Sequence, residues 1–372
     1  MKLHRTYLLA GALALAGTAA SAEPPSVVTS IKPVHTLVAS VMQGIGTPIL
    51  IVEGGGSPHT YSLRPSNARA LQNADVIFWI GPSLEAFLDR PIDSLGKEAR
   101  VVTLMEAHGL SHVSFREGGP FEGHAHDDHG DDDHDKGEHA KHGHDDDHKD
   151  EHKDENAGHG HDDDHKDDHK NEHKDEHAEH GDDDDHKNEH AGHDDHGGDA
   201  RDAHIWLDPA NAKAMTHEIA EALGEADPAN AARYEANAEA LEARIDDLTA
   251  ELRQTLEPVH DRPFIVFHDA YQHFERRFDL NAAGSITVSP EVIPGAERVS
   301  DIRHKVEELG ATCVFSEPQF TPRLVNVVTE GTAAKSGVLD PLGTGIPDGP
   351  DLYFTLLRNM AASMRACLSP TA

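Results

Sequence analysis

The chain has 372 residues and a formal net charge of −36. A field of that sign excludes nucleic acid as a partner and argues against docking on anionic lipid. The charge is concentrated in one stretch: Glu122–Asp199 holds 32 Asp or Glu against 8 Lys, a balance of −24, together with 20 of the 31 His.

The first 22 residues read as a signal peptide. Lys2, His4 and Arg5 form a basic start, Leu8–Ala16 is apolar but too short to span a bilayer, and Ala20-Ser21-Ala22 fits cleavage before Glu23. No later stretch is long and apolar enough for a membrane helix. The expectation is a soluble, exported protein in the periplasm of a Gram-negative bacterium. Its two cysteines, Cys313 and Cys367, suggest one disulfide in that compartment, with two buried thiols as the alternative.

From Ser26 the chain alternates short β-rich runs with helical segments. Strands are predicted at Ser26–Ile31, Thr47–Val52, Val76–Ile80 and Arg100–Leu104, with a helical pattern at Val34–Gln43. Strands alternating with helices imply a parallel sheet. Asp227-Pro228 reads as an N-cap and first helical residue. It opens a helix of about eight turns, whose stripe is Tyr234, Ala238, Leu241, Ile245, Leu248, Leu252 and Thr255 or Leu256. Pro258 stops it. The pattern then restarts, with strands at Phe264–Phe267, Ala282–Ile286, Thr312–Phe315 and Lys335–Leu339 and helices at Asp269–Phe278, Ala296–Leu309 and Tyr353–Cys367. The predicted fold is α/β: two lobes, each a parallel sheet flanked by helices, joined by one long rigid helix. The divisions are residues 1–22 (signal peptide), 23–226 (first lobe), 227–258 (linking helix) and 259–372 (second lobe). The acidic run 122–199 is an insertion in the first lobe. It has almost no apolar residues to offset ordering entropy, which predicts disorder without metal.

That insertion carries imperfect repeats, such as HDDDHKDEHKDE from His144 and HDDDHKDDHKNEHKDEH from His161. His161, His165, His169, His173 and His177 recur every four residues, so a helical turn would bring neighbouring imidazoles to one face. An inert acidic spacer would need no histidines. Mixed imidazole and carboxylate donors favour zinc over calcium or magnesium. The predicted sites are several, weak and exchangeable, because each ion must order loose chain.

A tight site needs a rigid frame. His59 follows the second strand in GGGSPH, His268 ends the strand PFIVFH, Asp340 follows the last strand in KSGVLD, and His204 lies in DAHIWLDP. Ligands of open parallel sheets gather at the carboxyl ends of strands, and three imidazoles with one carboxylate make a complete tetrahedral zinc set. Taken singly, each has an ordinary alternative as a surface, turn or capping residue. His35, His108, His112, His217, His260, His273 and His304 are read as surface or packing residues. No phosphate loop, HExxH helix or nucleophile elbow is present.

At this point the residues match a known family. The blocks SIKPVHTLVASV, GGSPHTYSLRPS, DVIFWIGPSLE, HIWLDP, VFHDAYQHFE, PGAERVSDIR, ATCVFSEPQF and LDPLGT occur in order over most of residues 26–368 outside the insertion. They resemble the periplasmic solute-binding receptors of bacterial zinc ABC importers, the ZnuA type of the cluster A-I metal receptors. The resemblance implies a non-enzymatic receptor that captures Zn2+ as transported ligand with His59, His204, His268 and Asp340. Water or another carboxylate is the alternative at the fourth position. Pro58 stands where some zinc relatives carry a further glutamate ligand. Relatives for manganese or iron carry a carboxylate at the position of His268, so the imidazole there implies zinc. The Cys313–Cys367 disulfide also matches the family. The implied partners are a membrane ABC permease, its cytoplasmic ATPase indirectly, and a periplasmic zinc chaperone; the chain is read as a monomer. The competing readings are a zinc store or buffer, a receptor for manganese or another divalent ion, and a zinc hydrolase with Glu317 as base.

Overall fold

The computed structural model describes residues 23–116, 121, 201–287, 289–290, 293–310 and 312–370. The expected signal peptide and the acidic insertion 122–199 lie outside the described residues. All the described residues belong to one compact unit.

Two four-stranded sheets organise the chain, and every pairing within them is parallel. The first contains β1 (Val27–Thr29), β2 (Ile49–Leu50), β3 (Val76–Trp79) and β4 (Arg100–Thr103) in the order β2-β1-β3-β4. The second contains β5 (Pro263–His268), β6 (Asn281–Thr287), β7 (Cys313–Ser316) and β8 (Lys335–Val338) in the order β6-β5-β7-β8. In both, the first strand of the lobe lies inside the sheet and the connections depart from it in opposite directions. A doubly wound sheet opens its crevice at such a reversal, outside the carboxyl ends of the strands. His268 is the last residue of β5, so it stands at that crevice.

The helices follow from their sequences. The helix α1 (Lys32–Val41) has Pro33 in its first turn, where a missing N–H costs nothing. Between strands lie α2 (Pro65–Gln72) and α3 (Ala86–Leu95) in the first lobe. The second lobe has α6 (Gln272–Phe278), α7 (Ala296–Leu309), α8 (Arg323–Thr329) and α9 (Leu352–Leu368). β5 alternates between two cores: Phe264 and Val266 join the main one, while Ile265 and Phe267 face a second with Ile286, Ile302, Val306, Val314, Val325 and Val328. Both faces of that strand are therefore covered, as a parallel sheet requires.

Two helices link the sheets: α4 (Pro209–Ala226) and α5 (Ala231–Leu256). The predicted stripe from Tyr234 to Leu256 is buried throughout. The start of the helix differs from the expectation. Asp227 ends α4 and does not cap α5; its Oδ2 accepts from Asn230 Nδ2 at 2.7 Å and from the Tyr234 hydroxyl at 3.1 Å. The cap belongs one helix earlier, where Asp208 accepts from the Ala210 N–H at 2.8 Å with Pro209 at the first position. The 26 residues of α5 make roughly seven turns. Its flanks are tied by ion pairs, Lys213–Asp246 at 2.8 Å to α4 and Arg358–Glu251 at 2.7 Å to α9. The predicted helix at Asp269–Phe278 also starts late, at Gln272; Asp269 lies in the bend before it and pairs with an arginine of the first lobe.

Cys313 at the start of β7 and Cys367 near the end of α9 form a disulfide. It closes a loop across 54 residues of sequence, which the chain-entropy model values at about 4 kcal/mol. Replacing both cysteines with serine is expected to lower the urea midpoint by an amount equivalent to roughly 2–4 kcal/mol, with the m-value, read in the same titration, testing whether the unfolded state has expanded.

Candidate metal centre

Three elements bring three imidazoles to one point. His59 sits in the turn after β2. Its backbone N–H donates to Ser57 Oγ at 3.3 Å, and Tyr61 and Asn67 fasten the same segment to the Ile51 carbonyl at 3.0 and 3.3 Å. His204 opens the short 3₁₀ turn Ile205–Leu207. That turn is locked to the second lobe: the Trp206 indole N–H donates to Pro341 O at 2.8 Å, and the Tyr353 hydroxyl donates to Trp206 O at 2.8 Å. His268 ends β5.

The Nε2 atoms of His59 and His268 each stand 3.4 Å from Nε2 of His204, and one ligating atom from each of the three residues lies within 4.8 Å of the others. A tetrahedral ion with Zn–N bonds of about 2.05 Å requires its nitrogens about 3.3–3.4 Å apart. The spacing along these two edges therefore fits a metal tetrahedron. Among the described residues no other group of three His, Cys, Asp or Glu converges in this way.

Asp340 is not in this group. Its Oδ1 accepts from Gln319 Nε2 at 2.8 Å and from the backbone N–H groups of Leu342 and Gly343 at 3.1 and 3.0 Å. It thus holds the turn after β8, the same turn whose Pro341 carbonyl receives Trp206. Burial raises its carboxyl above the usual range, against the pull of those donors.

Burial and the neighbouring carboxylates act on the imidazoles in opposite directions. Burial drives His59 down to about 2, helped by repulsion from His204 and His268, so its ring is neutral at any working pH. Burial also opposes charge on His268, but the Glu317 carboxylate, by charge and hydrogen bond, outweighs it and raises that imidazole. His268 Nδ1 lies 2.7 Å from Glu317 Oε1. His204 Nδ1 lies 2.7 Å from Asp202 Oδ1, and the His204 backbone N–H donates to the same oxygen at 3.0 Å. Burial would raise the Asp202 carboxyl, yet His204 holds it below the usual range. Sequence reasoning did not single out Asp202, and it considered Glu317 only as a hydrolytic base. The available signals were the spacing D-x-H in DAHIWLDP and the position of SEP at the carboxyl end of β7.

One further cluster braces the centre. Arg116 pairs with Asp269, the neighbour of His268, and with Glu275, reaching Asp269 Oδ2 at 3.0 Å and Glu275 Oε2 at 2.8 Å. Both acids are buried. Beside it, Ser114 bridges Arg201, and the Asp202 N–H donates to Val113 O at 2.8 Å. The chain therefore leaves for residues 117–200 and returns at one place, next to two of the three histidines. His35 and His273 are buried packing residues; His273 Nε2 meets the Asp202 carbonyl at 3.0 Å.

A two-lobed α/β fold with a cluster of imidazoles drawn from both lobes defines a metal receptor. The family described as zinc-uptake complex component A, periplasmic, matches residues 27–367, and the chain belongs to it. A curated relative, the high-affinity zinc uptake system protein ZnuA of Brucella suis biovar 1 (strain 1330), is 53% identical over 99% of both chains. The chain also resembles a solved structure described as the crystal structure of ZnuA, with a TM-score of 0.65 at 20% identity over 93% of this chain and 100% of that one. It resembles the periplasmic zinc-binding protein TroA of Treponema pallidum as well, with a TM-score of 0.66 at 17% identity over the same shares. These two likenesses establish the fold. Among the described residues no helix is long and apolar enough to cross a membrane.

Arg116→Leu is expected to destabilise the protein by about 3–5 kcal/mol, the usual cost of stranding buried charge. Burial already lifts Glu275 to about 7 despite Arg116. A carboxyl raised in the folded state favours folding below its unfolded pKa and loses that advantage as pH rises through the folded value. The deficit of the variant should therefore be larger at pH 8 than at pH 5, as thermal melts at the two pH values would reveal.

Proposed function

We propose that this protein captures Zn2+ in the periplasm and hands it to an ABC-type membrane permease. The observation that carries this reading is the pair of 3.4 Å Nε2–Nε2 spacings, which suit a tetrahedral ion bound by neutral imidazoles. Three nitrogen donors favour zinc over manganese, magnesium and calcium. Membership of a zinc-uptake family supports the transport role and speaks against an enzyme. The hydrolytic alternative also loses its base, because Glu317 is engaged behind His268, on the side away from Nε2.

In this reading residues 1–22 direct export, residues 23–226 and 259–372 are the two lobes, and residues 227–258 link them. His59, His204 and His268 bind the ion. Asp340 supplies the fourth ligand through Oδ2, since Oδ1 is committed to the turn. The insertion 122–199 is an accessory with weaker zinc sites, and the bracing of α5 favours small movements of the lobes over wide opening.

Zinc titration of the full chain and of a form lacking residues 122–199 tests the assignment. One tight site should survive the deletion while the weaker ones vanish; a tight site that disappears with the insertion would sink the proposal. His59→Ala or His268→Ala should abolish the tight site and spare the weak ones. Asp340→Asn should weaken it by about tenfold or more, and an unchanged affinity would give the fourth position to water. Stimulation of the ATPase of a reconstituted cognate permease by the loaded protein separates a transport receptor from a zinc store.

A further inference from the structure

The geometry points to Asp202 and Glu317 as positioning residues that fix the tautomer of two zinc-binding imidazoles and supply the charge that receives the ion. The inference rests on His204 and His268 being ligands, as proposed above. A neutral imidazole carries its proton on either nitrogen, and only the form protonated at Nδ1 offers a bare Nε2 to a metal. In both residues Nε2 faces the cluster and Nδ1 faces a carboxylate oxygen at 2.7 Å. An ionised carboxylate can only accept. It therefore holds the proton on Nδ1 and keeps Nε2 clear.

A second observation concerns charge. Asp202 is fully buried and Glu317 is 3% exposed. Among the described residues their ion pairs are with His204 and His268 alone. The second oxygen of Asp202, Oδ2, is buried without a hydrogen-bond partner. Among the described residues no lysine or arginine pairs with either carboxylate, and burying an uncompensated carboxylate is costly. Two negative charges behind the imidazoles favour a cation at the cluster. The pair thus holds the rings in their binding form and adds to the attraction for the ion, without touching the metal.

Asparagine and glutamine nearly preserve shape, but each brings an amide N–H2 that can donate to Nδ1 and move the ring proton to Nε2. The test uses the full chain labelled with 15N at histidine, in wild type, Asp202→Asn and Glu317→Gln. Zinc affinity of the tight site is read by competition with a strong chelator, and folding by circular dichroism. In metal-free wild type, imidazole N–H correlations should show Nδ1-protonated rings for His204 and His268, with protons shifted downfield of the amide region. Each substitution should remove one of these signals and weaken zinc binding by about 10–100-fold with the fold retained. An Nε2-protonated His204 or His268 in wild type would overturn the inference with no variant needed. Affinity within threefold of wild type in both folded variants would overturn it too. A tight site that persists in His204→Ala would instead overturn the ligand assignment, so the two failures are distinct.

Discussion

The Nε2 atom of His204 stands 3.4 Å from those of His59 and His268, and neither contact can tolerate a proton on both nitrogens. Everything around the centre follows from keeping those rings unprotonated on the side where they converge. The Asp202 and Glu317 carboxylates draw protons to the far edge of two rings, and burial makes the third too costly to charge. The folded frame must then hold three residues from distant parts of the sequence to within tenths of an ångström. It does so by placing them where the chain is stiffest: the end of a central strand, a turn pinned by Tyr61 and Asn67, and a 3₁₀ turn nailed to the other lobe through Trp206.

The linking helix serves the same end. A lone helix between lobes could bend, but α5 carries α4 on one flank and α9 on another, with ion pairs to each. Its buried stripe belongs to the main core that runs from Val27 to Leu368. Rotation of one lobe against the other would disturb that core, the Tyr353–Trp206 bond and the Arg116 pairs at once. The arrangement suits a receptor for a small ion, which needs its donors held in place more than it needs a wide mouth.

The chain sequence reveals most of this frame for a simple reason. Strands such as Val76–Trp79 and Pro263–His268 are covered on both faces and read as unbroken apolar runs, and the stripe of α5 is long and regular. Three of the four candidate ligands were traceable because sheet topology puts strand ends together. The helix α4 escaped because it buries small residues, Ala212, Ala220 and Ala222 among them, which give little contrast between its faces. Asp202 and Glu317 escaped because the partner of a carboxylate is a tertiary fact; a strand-end acid looks the same in sequence whether it caps a turn, as Asp340 does here, or orients a ring. The family blocks singled out the three histidines that the fold brings together, but a motif does not say which way a carboxylate oxygen points.

The bridge between Ser114 and Arg201, reinforced by the Asp202 N–H on Val113, closes the base of the histidine-rich segment. The positions of Asp202 and His204 are thus set by contacts made on the near side of residues 117–200, and the number of residues between the two anchors does not enter the geometry at which the three imidazoles meet.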